Sequence, residues 1–211
     1  MALLIELDPA HPSPRKISQI VEELQSGGVI VYPTDTVYGI GCSILQRQAI
    51  ERVYRIRRLD RRKPLAIICS DLSEVAKYAQ VSNAHYRMLK IALPGPYTFI
   101  LPATPEVPRT MLTKRREMGV RIPDNAICQA IVQKLGHPIL SASVVLDPEG
   151  DLVNDPRQIY DDLGHAIDVV VDGGMLPSAP STVVDLTSVE PVVVREGKGD
   201  LQKIGILPGA A

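Results

Sequence analysis

The chain has 211 residues, of which 45% are hydrophobic and 22% charged, a balance typical of one globular domain. Its formal net charge is −1, so bulk electrostatics do not indicate non-specific binding of nucleic acid. We find no basic leader and no apolar run of membrane-spanning length. We therefore expect a cytoplasmic protein without a membrane partner.

Hydrophobic periodicity predicts strands and helices that alternate along the chain. Strands are predicted at 3–7, 29–32, 65–69, 97–102, 118–122, 139–145, 169–172, 182–186 and 192–195. Helices are predicted at 15–26, 47–58, 72–79, 83–92, 127–135 and 157–163. Because no break in composition separates these elements, they predict a single α/β domain over residues 1–211, with helices flanking a mixed sheet.

The three cysteines, Cys42, Cys69 and Cys128, are far apart and lie among apolar residues. Their number and spacing match neither a disulfide framework nor a metal site. The four histidines are equally scattered. We therefore expect buried free thiols and no dedicated metal site.

The segment 29–42, VIVYPTDTVYGIGC, is the strongest candidate for a ligand site. A buried strand runs directly into Pro33, Thr34, Asp35 and Thr36. Ligands of open α/β sheets collect at strand ends, where loops present side chains and free N–H groups. An ordinary turn is the alternative, because Thr and Asp are common turn residues.

Two basic clusters stand out against the near-neutral total. One contains Arg52, Arg55, Arg57, Arg58, Arg61, Arg62 and Lys63, and the other Lys114, Arg115 and Arg116. Such clusters are usually solvated helix faces, with an electrostatic track for RNA as the alternative. An aromatic content of only 4% argues against base stacking on this protein.

Five sequence blocks together resemble the YrdC family: YPTDTVYGIG at 32–41, PGPYTFIL at 94–101, VRIP at 120–123, PSTVVDL at 180–186 and REG at 195–197. The resemblance covers about residues 15–200. It implies a twisted open α/β sheet with a large concave, positively lined cleft. It also implies the family's best-known activity, in which L-threonine, bicarbonate and ATP with Mg²⁺ yield threonylcarbamoyl-AMP for the t6A modification of tRNA. No tightly bound cofactor is expected.

The same resemblance assigns residues to two sides of the cleft. The threonine side is expected to include Thr34, Thr36, Arg121, Ser141, Ser181 and its neighbour Thr182, with Arg121 on the substrate carboxylate. The nucleotide side is expected to include Arg57, Lys63, Ser143 and Arg195. Arginine suits both ligands, because its planar fork binds carboxylate and phosphate in a bidentate manner. No catalytic residue is predicted.

Two signature positions depart from the synthases of this family. Their Lys-x-Arg-Pro signature corresponds here to Arg57-Arg58-Leu59-Asp60, and their Ser-x-Asn signature to Ser143-Val144-Val145. Leu59 and Val145 remove a charged and a neutral hydrogen bond, together worth roughly one to three decades in affinity. Both changes resemble the YciO branch. Alternatively, a neighbouring basic residue, Arg58, Arg61 or Lys63, rebuilds the phosphate contact.

Three functional hypotheses follow. The first is an enzyme that makes threonylcarbamoyl-AMP, or acts on a related threonylcarbamoyl compound in the reverse direction. The second is a protein that binds tRNA or double-stranded RNA through its basic clusters. The third is a nucleotide or amino-acid sensor without catalysis, which Leu59 and Val145 favour.

Overall fold

The computed structural model describes residues 1–60, 65–112, 114–144, 153–177 and 179–206. Its strands are β1 (Leu3–Glu6), β2 (Val29–Tyr32), β3 (Gly39–Ser43), β4 (Ala66–Ile68), β5 (Tyr97–Pro102), β6 (Glu117–Arg121), β7 (Ile139–Ser143), β8 (Val169–Asp172), β9 (Thr182–Asp185) and β10 (Val192–Arg195). Its helices are α1 (Pro14–Gln25), α2 (Arg47–Ile56), α3 (Leu72–Tyr78), α4 (Asn83–Ala92), α5 (Ala126–Leu135) and α6 (Pro156–Leu163). Short 3₁₀ turns lie at Arg109–Met111 and Gln202–Ile204.

The described strands form one mixed sheet in the order β1-β8-β2-β3-β7-β4-β6-β5-β9-β10. Four neighbouring pairs are parallel: β1/β8, β8/β2, β4/β6 and β5/β9. The remaining pairs are antiparallel. The sheet is open, with β1 and β10 at its edges, as the α/β prediction requires.

Helices cover the two faces of the sheet unequally. On one face, α1 and α5 pack over β1, β8 and β2, and their apolar side chains share a core with Ile5, Ile30 and Val169. The other face carries the larger core, in which residues of α2, α3, α4 and α6 pack against the sheet. We call the face that carries α1 and α5 the cleft face.

The part of the cleft face that α1 and α5 do not cover forms an open cleft, and the alternation of side chains along its strands determines which residues line it. Successive side chains of a strand point to opposite faces. In β5, Tyr97, Phe99 and Leu101 are buried in the larger core, whereas Thr98 and Ile100 line a cleft on the opposite face. The same alternation in β4, β6 and β9 places Ala66, Gly119, Arg121 and Val183 on the cleft face, beside the part covered by helices.

Strand β3 is the element that the sequence analysis missed. No strand was predicted between residues 33 and 46, but Gly39–Ser43 pairs with both β2 and β7. Glycine is depleted in strands, which hides the pattern. Here it is required, because a Cβ on Gly41 would lie 2.2 Å from the Leu140 carbonyl oxygen, and one on Gly39 3.0 Å from the Tyr32 ring.

Two further expectations can be compared with the described residues. Cys42, Cys69 and Cys128 are free and buried, as predicted. No described helix combines the length and the apolar character needed to cross a bilayer.

Candidate functional site

An open cleft lies on the cleft face of the sheet and encloses about 200 Å³. It is floored by the ends of β4, β5, β6, β7 and β9. Its described polar lining consists of Thr98, Arg121, Ser141, Ser143, Ser181 and Arg195. Its described apolar lining consists of Leu65, Ala66, Ile68, Ile100, Ala142 and Val183, with Gly119 between them. Five of the six residues predicted for the threonine side contribute to this site or to the loop beside it; the sixth is Thr182.

Arg121 ends β6 and forms the centre of the site. Its Nη2 donates to Asp35 Oδ1, to Thr36 Oγ1 at 2.7 Å and to Thr34 Oγ1 at 3.4 Å. The side chains of Arg121 and Asp35 are 9% and 8% exposed, so this ion pair is buried. A buried charge is costly unless it is paired, and the 33–38 loop supplies the partners.

The ion pair leaves two polar atoms unsatisfied. Arg121 Nε and Asp35 Oδ2 are buried and have no hydrogen-bond partner among the described residues. One is a donor and the other an acceptor, and leaving such a group unsatisfied costs about 1–3 kcal/mol. The buried ion pair therefore keeps one unused donor and one unused acceptor.

Thr34 and Thr36 act on Arg121 and on the loop itself. Thr34 Oγ1 donates to the Val37 carbonyl oxygen at 2.6 Å and accepts from the Thr36 amide at 3.1 Å. Thr36 Oγ1 accepts from Arg121. Both threonines are buried. Their contact with a substrate stays a prediction, while the structure shows that they orient the guanidinium.

Ser141 lies on the cleft floor and accepts a hydrogen bond from the buried Tyr32 hydroxyl at 2.6 Å. Burial raises the pKa of Tyr32. The phenol is therefore a stable donor, and the proton of Ser141 is available to a ligand.

The opposite wall is built from β9 and β10. Arg195 Nη2 donates to the Ser181 carbonyl oxygen at 2.9 Å, and the Ser181 hydroxyl bonds Thr98 Oγ1 at 2.9 Å. Burial and the nearby charge of Arg121 lower the pKa of Arg195. Thr182 points to the other face, where its hydroxyl bonds Gly199 and Gly197, so the expectation that it contacts substrate is wrong.

The predicted nucleotide residues do not all come together. Ser143 and Arg195 line the cleft. Arg57 caps α2 and donates through Nε to the Ser143 carbonyl oxygen at 2.8 Å, and burial lowers its pKa. Lys63 lies outside the described residues, as does Val145. Leu59 packs against the larger core.

Two arginines of the first basic cluster form hydrogen bonds within the protein. Arg52 donates to Asp168 Oδ2 at 2.8 Å and to the Ala166 carbonyl oxygen at 3.0 Å, and Arg57 is held by Ser143. The exposed basic residues of the described part of both clusters are Arg55, Arg58, Lys114, Arg115 and Arg116. Arg61 and Arg62 lie outside the described residues.

Sequence reasoning missed four contributors to the site. Asp35 was placed in the candidate ligand segment without a role of its own, and its ion pair with the buried Arg121 was not predicted. Tyr32 was assigned only to the core and Thr98 only to a strand. Lys198 Nζ donates to the Asp35 carbonyl oxygen at 2.6 Å, a contact that nothing in the sequence signals.

Within the described residues, no three His, Cys, Asp or Glu side chains gather where they could hold a metal ion.

The chain is similar to known proteins of one family. The model of the Sua5/YciO/YrdC family, described as telomere recombination, matches residues 22–197. The uncharacterized protein YciO of Escherichia coli K12 is 45% identical over 203 residues, or 96% of this chain and 98% of that protein. The crystal structure of E. coli YciO has a TM-score of 0.93 at 44% identity, covering 97% of this chain and 100% of that chain.

Relatives with a named activity or ligand are more distant. The threonylcarbamoyl-AMP synthase of Bos taurus is 31% identical over 202 residues, or 89% of this chain and 72% of that protein. P. abyssi Sua5 complexed with L-threonine has a TM-score of 0.90 at 25% identity, covering 96% of this chain and 60% of that chain. These matches confirm the resemblance drawn from the five sequence blocks, and the greater similarity to YciO agrees with the changes at Leu59 and Val145. The chain belongs to the Sua5/YciO/YrdC family.

Proposed function

We propose that the cleft binds L-threonine together with an adenine nucleotide, and that the protein acts on a threonylcarbamoyl group in the metabolism of t6A in tRNA. The observation that carries this proposal is the buried Arg121, whose Nε has no partner among the described residues. A carboxylate is the natural ligand of a buried guanidinium, since the charged hydrogen bond replaces the lost hydration. Two relatives support it by name, one a threonylcarbamoyl-AMP synthase and the other solved with L-threonine.

The polar lining suits a small hydroxy amino acid. Ser141 and Ser181 face the cleft on either side of Arg121, and both hydroxyls are held by neighbours, Tyr32 and Thr98. Fixed hydroxyls discriminate well, because a ligand without a matching group leaves them unpaired. L-Threonine offers a carboxylate, an ammonium group and a hydroxyl to this arrangement.

Arg195, on the far wall, supports a nucleotide in the same cleft. Its guanidinium is partly buried beside Ser181, and Ile100 and Val183 provide an apolar surface next to it. Leu59 is an apolar side chain that packs against the larger core, so the position at which the synthases carry arginine supplies no phosphate donor. We therefore propose weaker use of ATP with Mg²⁺ and bicarbonate than in a synthase, and chemistry that includes the reverse direction on threonylcarbamoyl compounds.

The deciding experiment is calorimetric titration of L-threonine into the wild-type protein and into Arg121→Met. Loss of one charged hydrogen bond should weaken binding roughly 10- to 150-fold. The matched control is Arg115→Met, which removes an exposed arginine that is not among the residues lining the cleft and should leave affinity unchanged. Circular dichroism verifies that each variant is folded. Failure of the wild type to bind L-threonine would contradict the proposal.

Activity is assigned by two parallel assays on the same protein. Threonine-dependent release of pyrophosphate from ATP would identify synthesis, and loss of the threonylcarbamoyl group from t6A-containing RNA would identify the reverse chemistry. If the protein binds L-threonine but shows neither activity, the result supports the third hypothesis, a nucleotide or amino-acid sensor without catalysis. If RNA binding by the basic clusters is instead the function, affinity for double-stranded RNA should fall steeply with salt and respond to Arg115→Met rather than to Arg121→Met.

A further inference from the structure

We propose that two copies of the chain form a two-fold symmetric dimer through the free edge of β1 and the flank of α1 beside it. This surface lies at the edge of the sheet opposite to β9 and β10, which build one wall of the cleft. Dimerisation at this edge therefore does not depend on the ligand proposed for the cleft.

The free edge of β1 carries backbone groups that no neighbouring strand uses. Within the described residues, β1 pairs only with β8, and the Leu3 amide donates to the Asp168 carbonyl oxygen at 2.8 Å. Because the backbone groups of successive strand residues alternate in direction, those of Leu4 and Glu6 point away from β8. Lys16 Nζ donates to the Glu6 carbonyl oxygen at 2.7 Å, which agrees with this direction. Such an edge is a template for pairing with another strand.

The two edges of the sheet differ in how they are protected. β10 follows Pro191, and its pairing with β9 contains a register shift between Val193 and Arg195. Proline and irregular pairing are common means of blocking an edge. The pairing of β1 with β8 is regular from Leu3 to Glu6, and the Leu3 side chain is 45% exposed. The edge of β1 is therefore open to a further strand.

A second copy of β1 matches this edge when the two strands run antiparallel about a two-fold axis at Ile5. Leu4 of one copy then lies opposite Glu6 of the other, and each such pair exchanges two backbone hydrogen bonds. On the side of the sheet that carries α1, the exposed Leu3 side chain lies opposite Leu7 of the second copy. The sheets of the two copies thereby join into one.

The charges of α1 are arranged against the dipole of the helix. Its first turn contains Arg15 and Lys16 and no acidic residue, and Glu22 and Glu23 lie towards its end, where the last turn has no basic residue. A helix dipole favours the reverse order. None of these four side chains forms an ion pair with another described residue. This arrangement costs stability in a single copy, and an antiparallel α1 from a second copy offsets the cost.

The flank of α1 beside β1 has the self-complementary charge that a two-fold interface needs. Lys16 and Gln19 line a groove along β1, and Glu23 lies on the same flank, because residues one and two turns apart share one side of a helix. The two-fold axis makes the two α1 helices antiparallel. Lys16 of each copy therefore lies towards Glu23 of the other, with Gln19 between the two contacts.

Sedimentation velocity of the full chain at micromolar concentrations tests this dimer. The wild type should show a dimer whose fraction rises with concentration. Lys16→Glu and Glu23→Lys each place like charges together twice across the axis, and each should weaken dimerisation roughly tenfold. An equimolar mixture of the two variants restores both contacts between opposite charges in a heterodimer, so that dimers should return. Lys90→Glu, an exposed charge reversal on α4, is the control and should dimerise like the wild type.

A wild type that stays monomeric over this concentration range would overturn the inference. A dimer that survives both reversals would overturn it as well, since it would use another surface. Loss of the dimer in each variant without recovery on mixing would contradict the proposed contact between Lys16 and Glu23. Both reversals bring α1 closer to the charge order that its dipole favours, and circular dichroism verifies that each variant is folded.

Discussion

The Tyr32 hydroxyl determines how the Ser141 hydroxyl can bond. A hydroxyl has one proton and two lone pairs, and Tyr32 occupies one lone pair of Ser141 at 2.6 Å. Because burial raises the pKa of Tyr32, this donor keeps its proton at neutral pH. Ser141 thus presents its own proton to the cleft, where a ligand oxygen would accept it.

Replacing Tyr32 with Phe removes this donor and keeps the ring. We expect the free energy of unfolding to fall by about 1 kcal/mol and L-threonine affinity to fall about two- to tenfold, since Ser141 can then reorient. The control is Tyr38→Phe, whose hydroxyl donates to the Gly174 carbonyl oxygen at 2.7 Å from the larger core. Urea unfolding and calorimetry report both quantities. An equal loss of affinity in the control would rule out a specific role for Tyr32.

The contacts that build the site could not be predicted from the sequence, because they join distant positions. Arg121 and Thr34 are 87 residues apart, and Tyr32 and Ser141 are 109 apart. The motif 29–42 indicated a site at a strand end. Only the pairing of the strands shows that β6 delivers Arg121 to the 33–38 loop and that Thr182 faces away from it.

Among the strands and helices, those predicted from the sequence are the ones whose apolar residues recur at the spacing of a helix or a strand. Helix α1 shows it in Ile17, Ile20, Val21 and Leu24, all of which are buried. Strand β3 lacks it, since Gly39 and Gly41 have no side chain to form a pattern. Its place in the sheet is dictated by space that only small residues can occupy.

Gly41→Ala tests this account of β3. An added Cβ would lie 2.2 Å from the Leu140 carbonyl oxygen and 2.8 Å from the Ile139 side chain, so the β3/β7 pairing must shift. We expect a loss of about 3 kcal/mol or more in the free energy of unfolding. Gly136→Ala is the control, because its φ of +76° is strained for alanine but nothing lies within 4 Å; that strain costs about 1–2 kcal/mol. Equal urea midpoints for the two variants would contradict the steric explanation.

For the whole molecule, buried thiols on both faces of the sheet make the free energy of unfolding depend on pH in the alkaline range. Burial raises the pKa of Cys42 and of Cys128 from 9.0 to about 12. Cys42 lies in the larger core and Cys128 in the core under α1 and α5. Only global unfolding therefore exposes both thiols to water.

The sign of the effect follows from the state that ionises first. Above pH 9 the unfolded thiols lose their protons while the folded ones keep them, so stability is fully present below pH 9 and falls as pH rises toward 12. The limiting slope is about 1.4 kcal/mol per pH unit for each thiol. Urea unfolding under reducing conditions between pH 7 and 10 should show a smaller slope for Cys42→Ala/Cys128→Ala than for the wild type. Parallel slopes would refute this origin.

The bond from Lys198 Nζ to the Asp35 carbonyl oxygen spans 163 residues of chain, and it has a consequence for the order of folding. The 33–38 loop and Arg121 leave the ribosome long before β9 and β10, which add the far wall at the edge of the sheet. Contacts between such distant positions form slowly. The central strands can pair while the cleft still lacks this wall. During refolding, the circular dichroism signal of the sheet should therefore recover before the ability to bind ligand.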